Sequence, residues 1–179
     1  AALGKLDLDD FNTDARLAAL WTRQTLTADN RAFLDARLAA IGPLEDRFSL
    51  VHGSPRQPIW EYILDETVAA ANFPLFDTPF CLVGHTHVPV IYAETADRPL
   101  ALLPPENHPF ALGGQRLIIN PGSVGQPRDG DPRASYALLD TDALTITYRR
   151  VEYPIEATQQ KMVAAGLPPR IIARLSYGW

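Results

Sequence analysis

A chain of 179 residues with 46% apolar and 21% charged residues has the composition of a folded protein, which excludes a disordered or collagen-like one. A chain near this size buries roughly 70% of the surface that it exposes when unfolded, enough for one domain, expected over residues 1–179. The formal net charge is −5, and with no basic run or arginine-rich helix there is no evident nucleic-acid surface. A phosphate held here would need a positive field from something besides Lys and Arg, and metal ions would supply it.

Cys81 is the only cysteine, so no intrachain disulfide and no zinc finger or ribbon can form. No apolar run approaches the roughly 20 residues that span a bilayer, and no signal-peptide pattern opens the chain. The expected setting is cytoplasmic, without a membrane partner. The chain opens Ala1-Ala2-Leu3-Gly4 and its one methionine is Met162, so either an initiator methionine was removed or residues lie upstream.

The first forty residues read as helical. Asn12 and Thr13 are candidate N-caps, with Leu17, Leu20 and Trp21 forming an apolar stripe. Thr27 caps a second predicted helix that carries Phe33, Leu34 and Leu38 and closes at Gly42-Pro43. Trp21 and Phe33 are expected in the core. Three short apolar runs follow: Phe48 to Val51, Phe80 to Val83 and Leu117 to Ile119. Each stops at a turn rich in Gly, Pro or Ser, as do strands buried on both faces. A helix is predicted from Trp60 to Ala71 between the first two. Residues 88–116, with Pro99, Pro104, Pro105 and Pro109, read as irregular hairpins. Ser135 to Leu139 and Ala143 to Val151 form a hairpin around Asp140-Thr141-Asp142. A helix from Ile155 to Ala165 stops at Gly166, and Pro168-Pro169 start a last short one.

Polar chemistry gathers at the ends of the three apolar runs, the edge where ligands bind in open α/β folds. Three of the four histidines stand there: His52, His85 and His87. Neutral imidazole is a good ligand for first-row transition metals. An extended backbone would bring His85 and His87 onto one face, since side chains at i and i+2 point the same way. The HxH pair alone has a plain alternative, two histidines satisfied by neighbours or exposed to solvent. Arg56 and Arg128 follow strand-end turns and are candidate contacts for a substrate phosphate. Asn120, Gly122 and Ser123 are read either as lining a pocket through backbone N–H groups or, the favoured reading, as a purely structural turn. Trp60, Glu61 and Tyr62 are read either as one wall of a cleft or as part of a helix packed on the sheet. His108, in "PENHPF", reads as surface, and Cys81 as an inert core residue.

The ordered elements "LVHGSP", "GHTH" and "NPGSVGQPR", with "DPRASYALLD" after them, resemble the calcineurin-like metallophosphoesterases, above all the small bacterial type. That family runs DxH, GDxxD, GNHD, a lone His after an apolar strand, then GHxH. The first three elements do not occur in this sequence, so the resemblance implies the C-terminal part of such a protein. It implies an α/β fold, a layered α-β-β-α sandwich that lacks its N-terminal strand-helix-strand units.

The resemblance also implies a function: metal-dependent hydrolysis of phosphodiesters or phosphomonoesters at two divalent ions, manganese, iron, zinc, nickel or cobalt. His52 and His85 would bind one ion and His87 the other, and the chain alone would be inactive. The substrate would be a small phosphate ester, nucleotides included. A truncated sheet would invite self-association. Two other readings stay open: a non-catalytic binding or scaffold protein on the same fold, and an unrelated module that binds a single metal ion.

Overall fold

Three short apolar runs, each too short for a helix, build the middle of a sheet. In the computed structural model, which describes residues 1–9, 11–36 and 42–179, they are β2 (Phe48–Leu50), β3 (Phe80–Leu82) and β7 (Leu117–Pro121). They pair in parallel, with Phe48 opposite Phe80 and Phe80 opposite Leu117. The sheet is completed by β1 (Gly42–Leu44), β4 (Pro89–Ala93) and β5 (Leu100–Leu102), in the order β1-β2-β3-β7-β4-β5. A second sheet joins β6 (Pro109–Ala111) to the hairpin of β8 (Ala134–Asp140) and β9 (Thr145–Val151), in the order β6-β9-β8.

Strand alternation sorts the large sheet's side chains into two cores. On one face Cys81, Ile118, Val90 and Tyr92 pack with Ala69 and Phe73, from α3 (Glu66–Asn72) and the 3-10 turn that follows it. On the other, Phe48, Phe80, Leu117, Ile119 and Ile91 meet Ile146 and Tyr148 of the second sheet. The central strands are thus covered on both faces, as their continuous apolar character requires. This is a mixed α/β fold of layered sheets and helices. Cys81 is fully buried, and burial pushes its thiol up to about 12, so it is inert.

A separate compact unit holds α1 (Thr13–Thr25), α2 (Ala28–Asp35), α4 (Ile155–Ala164) and α5 (Pro169–Ala173). The expected caps are in place: Asn12 accepts from Ala15 N at 3.0 Å and Thr27 from Asn30 N at 3.2 Å. No helix among the described residues is long and apolar enough to cross a membrane.

Several local expectations are corrected. Trp21 and Phe33 are not core residues: they are 38% and 55% exposed, and neither α1 nor α2 carries a buried residue among those described. Helix α2 ends at Asp35, and Gly42 and Pro43 belong to β1; Leu38 lies outside the described residues. The helix expected from Trp60 begins only at Glu66, where the Asp65 side chain accepts from Val68 N at 2.9 Å.

One further correction concerns the sheet. The proline-rich stretch read as irregular contains β4, an interior strand paired with both β7 and β5. Beyond Phe48–Leu50 the sheet continues into β1, antiparallel to β2.

Candidate functional site

Parallel strands deliver their C-terminal turns to one edge, and backbone hydrogen bonds carry the ladder past the strand ends. Val51 N donates to Leu82 O (3.0 Å), Val83 N to Ile119 O (2.8 Å) and Gly84 N to His52 O (2.9 Å). The last of these fixes the His52 backbone beside the Gly84-His85-Thr86-His87 turn.

That turn is not extended. His85 and His87 both lie in the left-handed region, with φ of 63° and 62°. Thr86 N donates to Gly84 O at 2.7 Å, closing a three-residue turn with His85 at its apex. Non-glycine residues seldom adopt this conformation, and where they persist the surroundings over-determine them. The extended geometry expected for HxH is replaced by a tighter one that turns His85 toward His52. Their Nε2 (His52) and Nδ1 (His85) atoms are 3.0 Å apart.

Burial is the largest influence on both rings. It lowers the His52 pKa and, joined by the nearby His52 and, to a smaller extent, His87 and Arg128, brings that of His85 down to about 4 against the opposing effect of the Trp60 backbone. Both imidazoles are therefore neutral at ordinary pH, the state in which histidine is a metal ligand. His85 Nε2 is buried with no hydrogen-bond partner among the described residues. His87 Nδ1 donates to Gln126 O at 2.7 Å, which leaves its lone pair on Nε2.

These residues fit a metal in donor chemistry. Two nitrogens that share one ion at roughly 2.0–2.1 Å come within about 3 Å of each other. They fall short in number, since no group of three His, Cys, Asp or Glu side chains among the described residues could hold an ion. A stable site normally uses three or four protein ligands. His52 and His85 come together, but with His87 they do not make a complete metal site among the described residues.

The other candidates separate by what their side chains already hold. Arg128 stays near the histidines: its backbone N donates to His87 O (3.3 Å) and its Nη2 to Gln126 Oε1 (3.0 Å), while its buried Nε has no partner among the described residues. Arg56 is engaged elsewhere, its guanidinium gripping Glu61 through Nε at 2.9 Å and through Nη2. Asn120, 1% exposed, is occupied in bonds to the turns rather than turned to a ligand. Ser123 is likewise a turn residue: its Oγ accepts from Gln126 N (2.9 Å) and its carbonyl from Ser135 N (2.8 Å). His108 is exposed, bonded through Nδ1 to Glu106 O at 2.7 Å.

One participant was read only as a cleft wall or as part of a helix. Tyr62 stacks on His85 from a loop tied down by Glu61, which accepts from Ser54 Oγ (2.6 Å), Asn72 Nδ2 (2.8 Å) and Arg56. Neither periodicity nor spacing connects Tyr62 to His85. Their contact depends on how the loop after β2 folds back over the edge.

Comparisons with known proteins give the family. Residues 10–144 match the calcineurin-like phosphoesterase superfamily domain. An uncharacterized protein of Methanocaldococcus jannaschii is 36% identical over 179 aligned residues, covering 98% of this chain and 71% of that protein. The crystal structure of a metallophosphoesterase from Sphaerobacter thermophilus superposes with a TM-score of 0.87 at 48% identity, over 100% of this chain and 73% of the other. A hypothetical protein from Pyrococcus horikoshii shares the fold at 20% identity, with a TM-score of 0.72 over 99% of this chain and 69% of that one. The chain belongs to the calcineurin-like phosphoesterase superfamily.

Proposed function

We propose that this chain provides the histidine half of a metal-dependent phosphoesterase that cleaves small phosphate esters, with residues 1–179 forming one domain of it. The observation that carries the reading is the pair of neutral imidazoles 3.0 Å apart, held by a left-handed turn at the ends of parallel strands. His52 and His85 hold one divalent ion and His87 a second; manganese, iron, zinc, nickel and cobalt all suit imidazole. When bound, such ions polarise phosphoryl oxygens and lower the pKa of water.

The chain's own residues do the rest. Their low proton affinity keeps the His52 and His85 lone pairs available, and Tyr62 covers one face of His85. Arg128 places a guanidinium beside the histidines, where an anionic phosphate would be drawn. Nucleotides are among the substrates this arrangement admits, and a cytoplasmic setting belongs to the same proposal. Three imidazoles shared between two ions are too few, so the 179-residue chain by itself is a weak metal binder and inactive.

The test is hydrolysis of bis(p-nitrophenyl) phosphate with added manganese. The chain alone should show no turnover, and a polypeptide joining it to DxH, GDxxD and GNHD elements should show it. In that longer protein His52→Ala or His85→Ala should lower the rate by orders of magnitude, and His108→Ala should not. Undiminished turnover in His85→Ala would refute the assignment and move the reading to a binding or scaffold protein.

A further inference from the structure

The Gly84-His85-Thr86-His87 turn carries a conformational cost. Two non-glycine residues in the left-handed region disfavour it by about 1–3 kcal/mol each. The group that opposes this lies on another strand. Asn120, at the end of β7, donates through Nδ2 to Gly84 O and to Thr86 Oγ1, each at 2.8 Å. Those two residues flank His85. Its Oδ1 accepts from Gly122 N at 2.9 Å, and its backbone carbonyl accepts from the buried Tyr148 hydroxyl at 2.9 Å.

The residue type is specific to this task. A carboxamide offers two N–H donors and an acceptor oxygen on one short, planar group. Aspartate has the same shape but no donor, and would set a negative charge against the Gly84 carbonyl. Thr86 is 3% exposed, and its Oγ1 also accepts from Val88 N at 3.2 Å, so the network closes on both sides of His85. Being buried, these bonds are electrostatically strong, and an unmet partner there is costly.

We propose that Asn120 is the positioning residue of the histidine pair: by clamping Gly84 and Thr86 it holds His85 in the left-handed turn and sets Nδ1 against Nε2 of His52. Its consequence for metal binding rests on the reading of His52 and His85 as ligands. The clamp itself does not require a metal.

The experiment is nitrogen–proton correlation NMR of the 179-residue chain, labelled at histidine, metal-free and at mildly alkaline pH. With the clamp intact, His52 and His85 should each show one fixed tautomer, because a proton lies between them. Asn120→Asp removes both donors yet keeps the acceptor for Gly122, and Thr86→Val removes one acceptor. Both should convert the fixed patterns to averaged ones, and Thr86→Ser should restore them. A cobalt(II) titration should show a loss of affinity of about 10–100-fold in the first two variants and none in the third.

Fixed tautomers in both disruptive variants, with only a lower melting temperature, would overturn the proposal, as would averaged tautomers in the unaltered chain. If Asn120→Asp fails to fold, as judged by near-ultraviolet circular dichroism, the Thr86→Val and Thr86→Ser pair decides. Tautomers that respond as expected in a chain that binds no cobalt would uphold the clamp, and the metal reading would then be decided by cobalt binding in the longer protein of the hydrolysis test.

Discussion

Tyr62 lies against the imidazole of His85, with ring centroids 3.9 Å apart and planes inclined by 21°. Burial is the main cause of the low His85 pKa of about 4, and this ring covers one side of the imidazole. Tyr62→Ala should therefore admit water and raise the His85 pKa toward its ordinary value, whereas Tyr62→Phe should leave it low. Proton NMR titration of His85 in the two variants reads this directly. Stacked aromatic pairs contribute about 0.5–1.5 kcal/mol beyond their buried area, so Tyr62→Ala should also lower stability modestly.

Glu61 gives the stability a specific acid limb. Burial raises its pKa, but hydrogen bonds from Arg56, Ser54 and Asn72 outweigh that and hold the carboxyl at about 2, against 4.5 for an ordinary glutamate. A group whose pKa is lower in the folded state stabilises the fold above its unfolded pKa and loses that contribution as pH falls through the folded one. The Glu61 contribution should be complete above about pH 4.5 and fade toward pH 2. In Glu61→Gln the stability difference from the unaltered chain should shrink across that window, as measured by urea unfolding at a series of pH values.

The two arginines singled out by their position after strand-end turns should behave differently. Arg56 is committed to Glu61, so Arg56→Ala should lower the melting temperature and leave substrate affinity nearly unchanged. Arg128 stands by the histidines, so on the proposed function Arg128→Ala in the longer protein of the hydrolysis test should raise KM for a phosphate ester by about tenfold or more, the worth of one charge-assisted hydrogen bond. Steady-state kinetics and melting curves on both variants separate the two roles.

Gly122 has a φ of +84°, and a Cβ there would stand 2.6 Å from Ser135 Oγ and 2.8 Å from its Cβ. Ser135 cannot turn away without breaking its bond to Pro121 O at 2.7 Å. Gly122→Ala should destabilise the fold by at least about 1–3 kcal/mol. Gly125→Ala, where a Cβ meets nothing within 4 Å, should be close to neutral. Thermal unfolding of the two variants provides the comparison.

Much of this architecture is written in adjacent residues. The runs at Phe48, Phe80 and Leu117 are apolar on both faces and end in polar turns, which is enough to specify parallel central strands with histidines at one edge. The caps at Asn12 and Thr27 and the hairpin around Asp140 are equally local, each a side-chain oxygen reaching a backbone N–H two or three residues on.

Other features exist only because distant segments meet. The prolines at 99, 104, 105 and 109 masked the interior strand β4, whose place depends on pairing with β7. Trp60 to Leu64 reads as helix by pattern, yet Ser54, Arg56 and Asn72 converge on Glu61 and fold the segment as a loop. Asn120 looks like a ligand residue beside its own turn, and only the neighbouring strand reveals that both its N–H groups are used to hold another turn in shape. Local periodicity decides which residues form strands and where the histidines stand. The direction in which each imidazole faces is set by hydrogen bonds across strands, and those depend on sheet order.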